Sequence, residues 1–427
     1  MKKKVLFLLF LAVFGFLAYS KYLQHERAIK EAELNNTLNL VQTDLETFRL
    51  GYNSTHWAYL NQKVCEKDVE RAIERVLELR EMLLKLNVSD DEIRDIDVCL
   101  NETYYYQRRG QFYVALTEGR SCAILAADHL GSTLALGNRT EFLKYVRGQF
   151  RSVEALQNKT AEKWKQTLGR GINFTDYLIT GFVVEDNIIK AEISLNQSRD
   201  FLEKLDRIPN PTTSQEIENV SILGSWVTSY LEFARSFLMD SAVLTSHVTP
   251  GTFDPNGLRN NVHALVDDLS RVDVPCEFEE TMLKVACDWK EYHKKRGLLG
   301  VEKGYYSAAT YHLLYAIAID EHLHEFEALN STFATLKTPT EKVKIVLRLR
   351  HESLESIKDC SRDPLTSLYI QDAVGWYFRH GDAALEMMVR LRTDDPTTQP
   401  LYNYEMAKII AKKMCPYVAM LSQTMEQ

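Results

Sequence analysis

Apolar residues recur at steps of three and four over nearly the whole chain, and this spacing commits the backbone to amphipathic helix. Val69, Ala72, Ile73, Val76, Leu79, Leu83 and Leu86 show the pattern, with Glu70, Arg71, Glu74, Arg75 and Arg80 between them. Residues three or four apart share one helix face, so the row forms an apolar stripe with charge opposite. No alternating run long enough for a half-buried strand competes with it. The expected fold is all-α.

Breakers divide the first half into long segments over 24–50, 54–86, 90–130, 140–168, 174–207 and 213–247. Ser89 with Glu92, Thr140 with Glu141 and Thr213 with Glu216 supply side chains that satisfy the free amides of a first turn. Short connections make these long helices antiparallel neighbours. The segment 90–130 reads as one continuous helix that Gly110 or Gly119 can kink or split. The stretch Val248–Asn261 holds two prolines and two glycines in 14 residues, so a linker or functional loop is expected there. Shorter helices, stacked as hairpins, are expected at 258–271, 277–296, 301–329, 339–359, 365–380, 382–392 and 401–424. The implied division is 1–23 as leader or anchor, 24–249 as a long-helix domain and 250–427 as a helical-hairpin domain. Within the last part, Tyr377–Pro396 resembles a tetratricopeptide unit in its spacing of Tyr377, Gly381, Asp382, Ala384 and the closing Asp395-Pro396. The resemblance covers about twenty residues with a shortened turn, is not repeated, and implies a helical hairpin.

Lys2, Lys3 and Lys4 precede an uncharged apolar run from Val5 to Tyr19, the layout of a signal peptide or short membrane anchor. Fifteen helical residues cover roughly 22 Å against a hydrocarbon core of ~30 Å, so spanning needs Ser20 to Leu23 or local thinning. Ala18-Tyr19-Ser20 is the alternative, a cleavage site. Both readings export the remainder, and place the protein in the cell membrane as a single-pass chain with its C-terminal part outside, or secrete it. Ten Asn-x-Ser/Thr acceptor sequences point the same way: Asn35, Asn53, Asn87, Asn101, Asn138, Asn158, Asn173, Asn196, Asn219 and Asn330. Chance would supply about two among the 19 asparagines.

Seven cysteines are few and odd in number for an exported chain, so this is no disulfide scaffold and at least one thiol is left over. Cys99 and Cys122, on the supposed single helix of 90–130, would lie roughly 34 Å apart and could not bridge. Cys276 with Cys287 and Cys360 with Cys415 are the candidate pairs.

The net charge is −8, from 51 basic and 59 acidic residues, and no basic stripe fit for a nucleic acid was apparent. His-Glu-x-x-His, Gly-x-Ser-x-Gly, Cys-x-x-Cys, a phosphate loop and an EF-hand loop are all missing, and no cofactor is expected. Glu321 and His324 have the Glu-x-x-His spacing that delivers a carboxylate and an imidazole to one metal on a helix. The competing reading makes Asp320–Glu325 a solvated helix end. His312 sits in an apolar run beside Tyr311 and Tyr315, as a hydrogen-bonded core residue or the polar group of a ligand pocket. Tyr104, Tyr105 and Tyr106 point around a helix, so some of them must face solvent or another element.

Nine of the ten acceptor sites precede residue 220, which leaves 222–427 the barer surface for an unidentified protein or small ligand. The functional expectation is an exported, membrane-tethered, N-glycosylated helical protein serving as a binding or structural module at the cell surface. An exported metal-dependent enzyme with its site in the C-terminal helical part is the alternative.

Overall fold

The structure is a computed structural model that describes residues 2–47, 55–208, 211–272, 274–276, 278, 281–360, 364–393 and 398–425. It is all-α, with no strand among the described residues. The chain divides into two compact units: Ser54–Ile317 with Ser367–Tyr369 and Val418–Gln427, and a second made of Met1–Asn53, Ala318–Thr366 and Ile370–Tyr417. The sequence boundary expected at 249/250 therefore falls inside the first of these.

That unit carries α2 (Thr55–Asn61), α3 (Glu66–Lys85), α4 (Asp90–Arg108), α5 (Phe112–Gly137), α6 (Arg139–Gly169), α7 (Phe174–Asp176), a π turn (Tyr177–Gly181) and α8 (Phe182–Asp206). It continues with α9 (Ser214–Ser246), a 3-10 turn (Pro255–Leu258), α10 (Arg259–Val272), α11 (Thr281–Lys303) and the first part of α12 (Tyr306–Ala334). Capping boxes start α4 at Ser89 and α9 at Thr213, as predicted. α6 begins one position before the expected 140 and its cap is Asn138, whose side chain accepts from the Glu141 amide at 3.1 Å.

The helix expected over 90–130 is two helices. The chain reverses at Gly110, whose φ of +68° suits a residue without Cβ. Asn61 clamps the turn, donating from Nδ2 to the Gly110 carbonyl and accepting from the Tyr113 amide. α4 and α5 then run side by side, and Cys99 is bonded to Cys122. The sequence reading excluded this bridge because it took the turn for a kink. Cys276–Cys287 and Cys360–Cys415 are also joined, and Cys65 is free.

α9 is central to the unit, packed against α5, α6 and α8. A Cβ on Gly131 of α5 would lie 2.3 Å from the Gly224 carbonyl oxygen of α9, so the two backbones touch at this point. Nearer the other end the same helices are linked by long side chains, Arg120 to Asp240 at 2.9 Å. Val248–Asn261 is no loose linker. Ile172 bridges to Pro250 and Phe253, and Gly171 and Gly251 meet so closely that neither has room for a side chain. Asp176 ties the segment down from below, accepting from Lys63 and Tyr59 at 3.0 Å each and from the Thr249 amide. Burial opposes its charge, but the hydrogen bonds from Thr180, Thr249 and Lys63 win and hold its pKa below the usual carboxylate value.

In the same unit the buried Glu185 of α8 caps α12 from outside. It accepts from the Ser307 and Ala308 amides at 3.0 Å each, from Trp164 Nε1 at 3.2 Å and from the Tyr177 hydroxyl at 3.0 Å. Burial pushes its pKa up to about 8 while those four donors pull it back.

The other unit contains α1 (Lys2–Thr47), the second part of α12, α13 (Pro339–Cys360), most of α14 (Pro364–Leu391) and most of α15 (Thr398–Met425). Its core is held by Arg350, which grips Asp382 with two nitrogens at 2.8 and 3.1 Å and reaches Asp44 at 2.6 Å. The Tyr404 hydroxyl donates to the same Asp382 at 2.6 Å. The expected pair of helices at 365–380 and 382–392 is one continuous α14, so Tyr377–Leu391 forms no hairpin. Gly381 lies inside this helix, at a point where a Cβ would sit 2.6 Å from the Tyr404 ring. The C-terminal helices are accordingly long, at 29, 22, 28 and 28 residues for α12 to α15. Among the described residues no helix is long and apolar enough to cross a membrane; the side chains of the Val5–Tyr19 run lie outside the described ones.

Two outcomes are expected. Glu185→Gln turns an NH2 group toward the amides that start α12 and should lower unfolding free energy by about 2 kcal/mol in denaturant titration, with an unchanged value refuting the cap. Replacing Cys99 and Cys122 by serine should cost about 3 kcal/mol for this loop length. Unlinked fragments at these two cysteines in a non-reducing peptide map would overturn the pairing.

Candidate functional site

His312 is fully enclosed and hydrogen-bonded through both ring nitrogens. Its Nε2 lies 2.8 Å from Asp186 Oδ1 and its Nδ1 lies 2.8 Å from Nδ1 of His293. With a proton on His312 Nε2 facing the carboxylate, His312 Nδ1 accepts and His293 Nδ1–H donates, an assignment of tautomers that satisfies all three groups. Asp186 is also held by Arg296 and by Lys190 at 2.8 Å. Tyr315 stacks on His293 at 4.1 Å between ring centres, and Tyr311 lies against Phe182 and His312. The tyrosines predicted to line a pocket thus pack against the histidines. Burial, then the neighbouring positive charge, holds both imidazoles well below their ordinary pKa of 6.5.

Glu321 and His324 stand in the other unit. Glu321 pairs with Lys413 at 2.6 Å and His324 is exposed. Among the described residues no group of three or more His, Cys, Asp or Glu is arranged to hold a metal ion. Asp320–Glu325 is not a solvated helix end, because α12 continues to Ala334. His322 between them is buried edge-on to Tyr402, with neither ring nitrogen hydrogen-bonded, and burial lowers its pKa to about 3. Of the tyrosine run, Tyr105 faces solvent with the Arg109 guanidinium 4.2 Å over its ring.

The site that sequence reasoning missed is a cleft of about 510 Å³ among α3, α5, α6 and α9, in the same unit as His312. Its size is within the usual range for small-molecule sites. Leu116, Leu156, Met239 and Val243 supply apolar wall, while six lysines and arginines face two aspartates. Lys67, Arg71 and Arg75 come from α3 at four-residue intervals, and Lys159 and Lys163 from α6 at the same interval. That repeat is the signal in the sequence: two short basic stripes, each unremarkable alone, which the fold turns into one cavity. Arg75 is neutralised by Glu232 at 2.7 and 3.1 Å, and Arg120 by Asp240. Asp240 is so buried that its pKa rises to about 6 even beside Arg120. Lys163 reaches only neutral oxygens, the Ala242 carbonyl at 3.3 Å and the Ser246 hydroxyl at 2.6 Å. Among the described residues Lys67, Lys159 and Lys163 form no ion pair.

No family model, curated protein or solved structure matches the chain.

The paired histidines define a pH test. Their folded pKa values are lowered, so the stability they contribute is complete above about pH 6.5 and is lost as pH falls below it. His293→Phe, which keeps the ring contacts and removes one titrating group, should flatten the decline in melting temperature on acidification below pH 6.5 relative to the parent. Parallel curves for the two proteins would show that the imidazole pair carries no such term.

Proposed function

We propose that the protein is exported and N-glycosylated, held in the cell membrane by its N-terminal segment or secreted, and acts as a helical binding module at the cell surface. The observation that carries this reading is how its acceptor asparagines use their side chains. Asn53 lies outside the described residues. Of the nine others, seven are exposed and two, Asn219 and Asn330, are half-buried. A side chain that must carry a glycan needs that position. Moreover Asn35, Asn138, Asn173, Asn196 and Asn219 each accept a hydrogen bond through Oδ1, from Arg392, the Glu141 amide, the Asp176 amide, Arg199 and Gln215 respectively. Four of those donors can only donate, so Oδ1 is the contact atom and Nδ2, the atom that bears the sugar, is left outward. Asn61, which is in no acceptor sequence, does the opposite and spends Nδ2 on the Gly110 carbonyl.

The sequence placed a partner on residues 250–427; the proposal follows the cleft instead, whose lining runs from Cys65 to His247. Glycans on the surrounding helices would leave little dry surface for a broad protein interface, which favours a small ligand in the cleft. Intact-mass and peptide analysis of protein from its native membranes or medium should find glycans on most of the exposed sites. Bare asparagines throughout, on protein recovered from the cytosol, would refute the reading.

A further inference from the structure

We propose that the cleft among α3, α5, α6 and α9 binds a small amphiphilic organic anion, with its charged head at Lys159 and Lys163 and its apolar body against Leu116, Met239 and Val243. Two rows of like charge, one on each of two helices, line the same cavity. Like charges four residues apart on a helix repel, and a second row facing them adds to the repulsion. Carboxylates relieve part of it: Glu232 takes Arg75, Asp240 takes Arg120, and Asp68 lies 3.4 Å from Arg71. Lys67, Lys159 and Lys163 remain without an ion pair among the described residues, in a protein whose net charge is −8. An anion bound there completes the pairing.

Much of the remaining wall is apolar, with Thr160, Ser236, Ser246 and His247 as further polar groups, so a bare inorganic anion would leave the apolar part of the cleft unfilled. A carboxylate or similar head on an aliphatic or ring body matches both surfaces. Asn158 does not block the entrance when glycosylated. It is exposed, and at 100° per residue it projects about 200° around α6 from the buried Thr160 that lines the cleft.

The inference deepens the binding-module reading, and the two fail separately, since a titration in the cleft does not depend on glycan occupancy. The test is calorimetric titration of the full chain in lipid nanodiscs, with empty nanodiscs subtracted, using decanoate, 1-decanol and acetate. Decanoate should bind with one-to-one stoichiometry and at least about tenfold more tightly than either decanol, which lacks the head, or acetate, which lacks the body. Lys163→Gln should weaken decanoate about tenfold. Lys159→Gln, at an exposed position where folding is not at risk, should act in the same direction, and Val243→Trp should abolish binding by filling the cleft. Equal affinity for decanoate and decanol, equal affinity for decanoate and acetate, or undiminished decanoate binding in Val243→Trp would each overturn the proposal.

Discussion

Two adjacent carboxylates near the start of α8 organise the unit that contains the cleft. Successive residues on a helix point about 100° apart, so Glu185 and Asp186 address different neighbours from one place. Glu185 takes the first amides of α12, together with Trp164 and Tyr177, while Asp186 takes His312, Arg296 and Lys190. Burying two acids side by side is costly, and each is tolerable only while its donors stay in place. α11 and α12 are therefore held by direction as well as by apolar contact. His293 extends the same chain outward into the Trp289, Tyr292 and Tyr315 rings.

The helical content was legible because period and caps are local properties. Ser89 and Thr213 announce their helices, and the apolar stripe of α3 can be read directly from its residues. What stayed hidden depends on partners distant in the chain. Gly110 and Gly381 are both glycines in otherwise helical sequence, yet one ends a helix and the other lies inside one. Asn61 clamps the first, and the Tyr404 ring presses against the second. Neither partner is local, and misreading Gly110 also concealed the Cys99–Cys122 bond. The Val248–Asn261 prolines and glycines looked like spacing for the same reason. Gly251 among them comes up against the Gly171–Asn173 backbone, a contact that nothing nearby in the sequence reveals.

The candidate site follows the same rule. His312 was legible as a buried polar residue, but its partners Asp186 and His293 were 126 and 19 residues away. The cleft was harder still. Lys67, Arg71 and Arg75 alternate along α3 with acids such as Glu70 and Glu74, so a composition count there is nearly neutral. Only when α3 and α6 line one cavity do the bases gather on the inner side. The two backbones of α5 and α9 touch at Gly131 and Gly224, and farther along Thr228 donates to the Ala127 carbonyl, Ser225 and Ser229 donate to Asp128, and Arg120 pairs with Asp240.

Thr160 joins the cleft to the proposed glycosylation. Its hydroxyl is buried on the cleft wall without a hydrogen-bond partner, a placement that costs about 1–3 kcal/mol relative to a satisfied group. Valine has nearly the same shape and would incur no such penalty, so packing alone gives no reason for threonine at this position. The proposed glycosylation of Asn158 would give one, because its acceptor sequence needs a hydroxyl two residues on. Thr37 and Thr103 are likewise buried, and likewise complete the acceptor sequences of Asn35 and Asn101. They differ from Thr160 in having found backbone carbonyls, Glu33 and Cys99, one turn earlier. Ser198, which completes the acceptor sequence of Asn196, is buried too and donates to the Val227 carbonyl, so four buried hydroxyls stand two positions after exposed asparagines, the arrangement that the proposed glycan attachment would require.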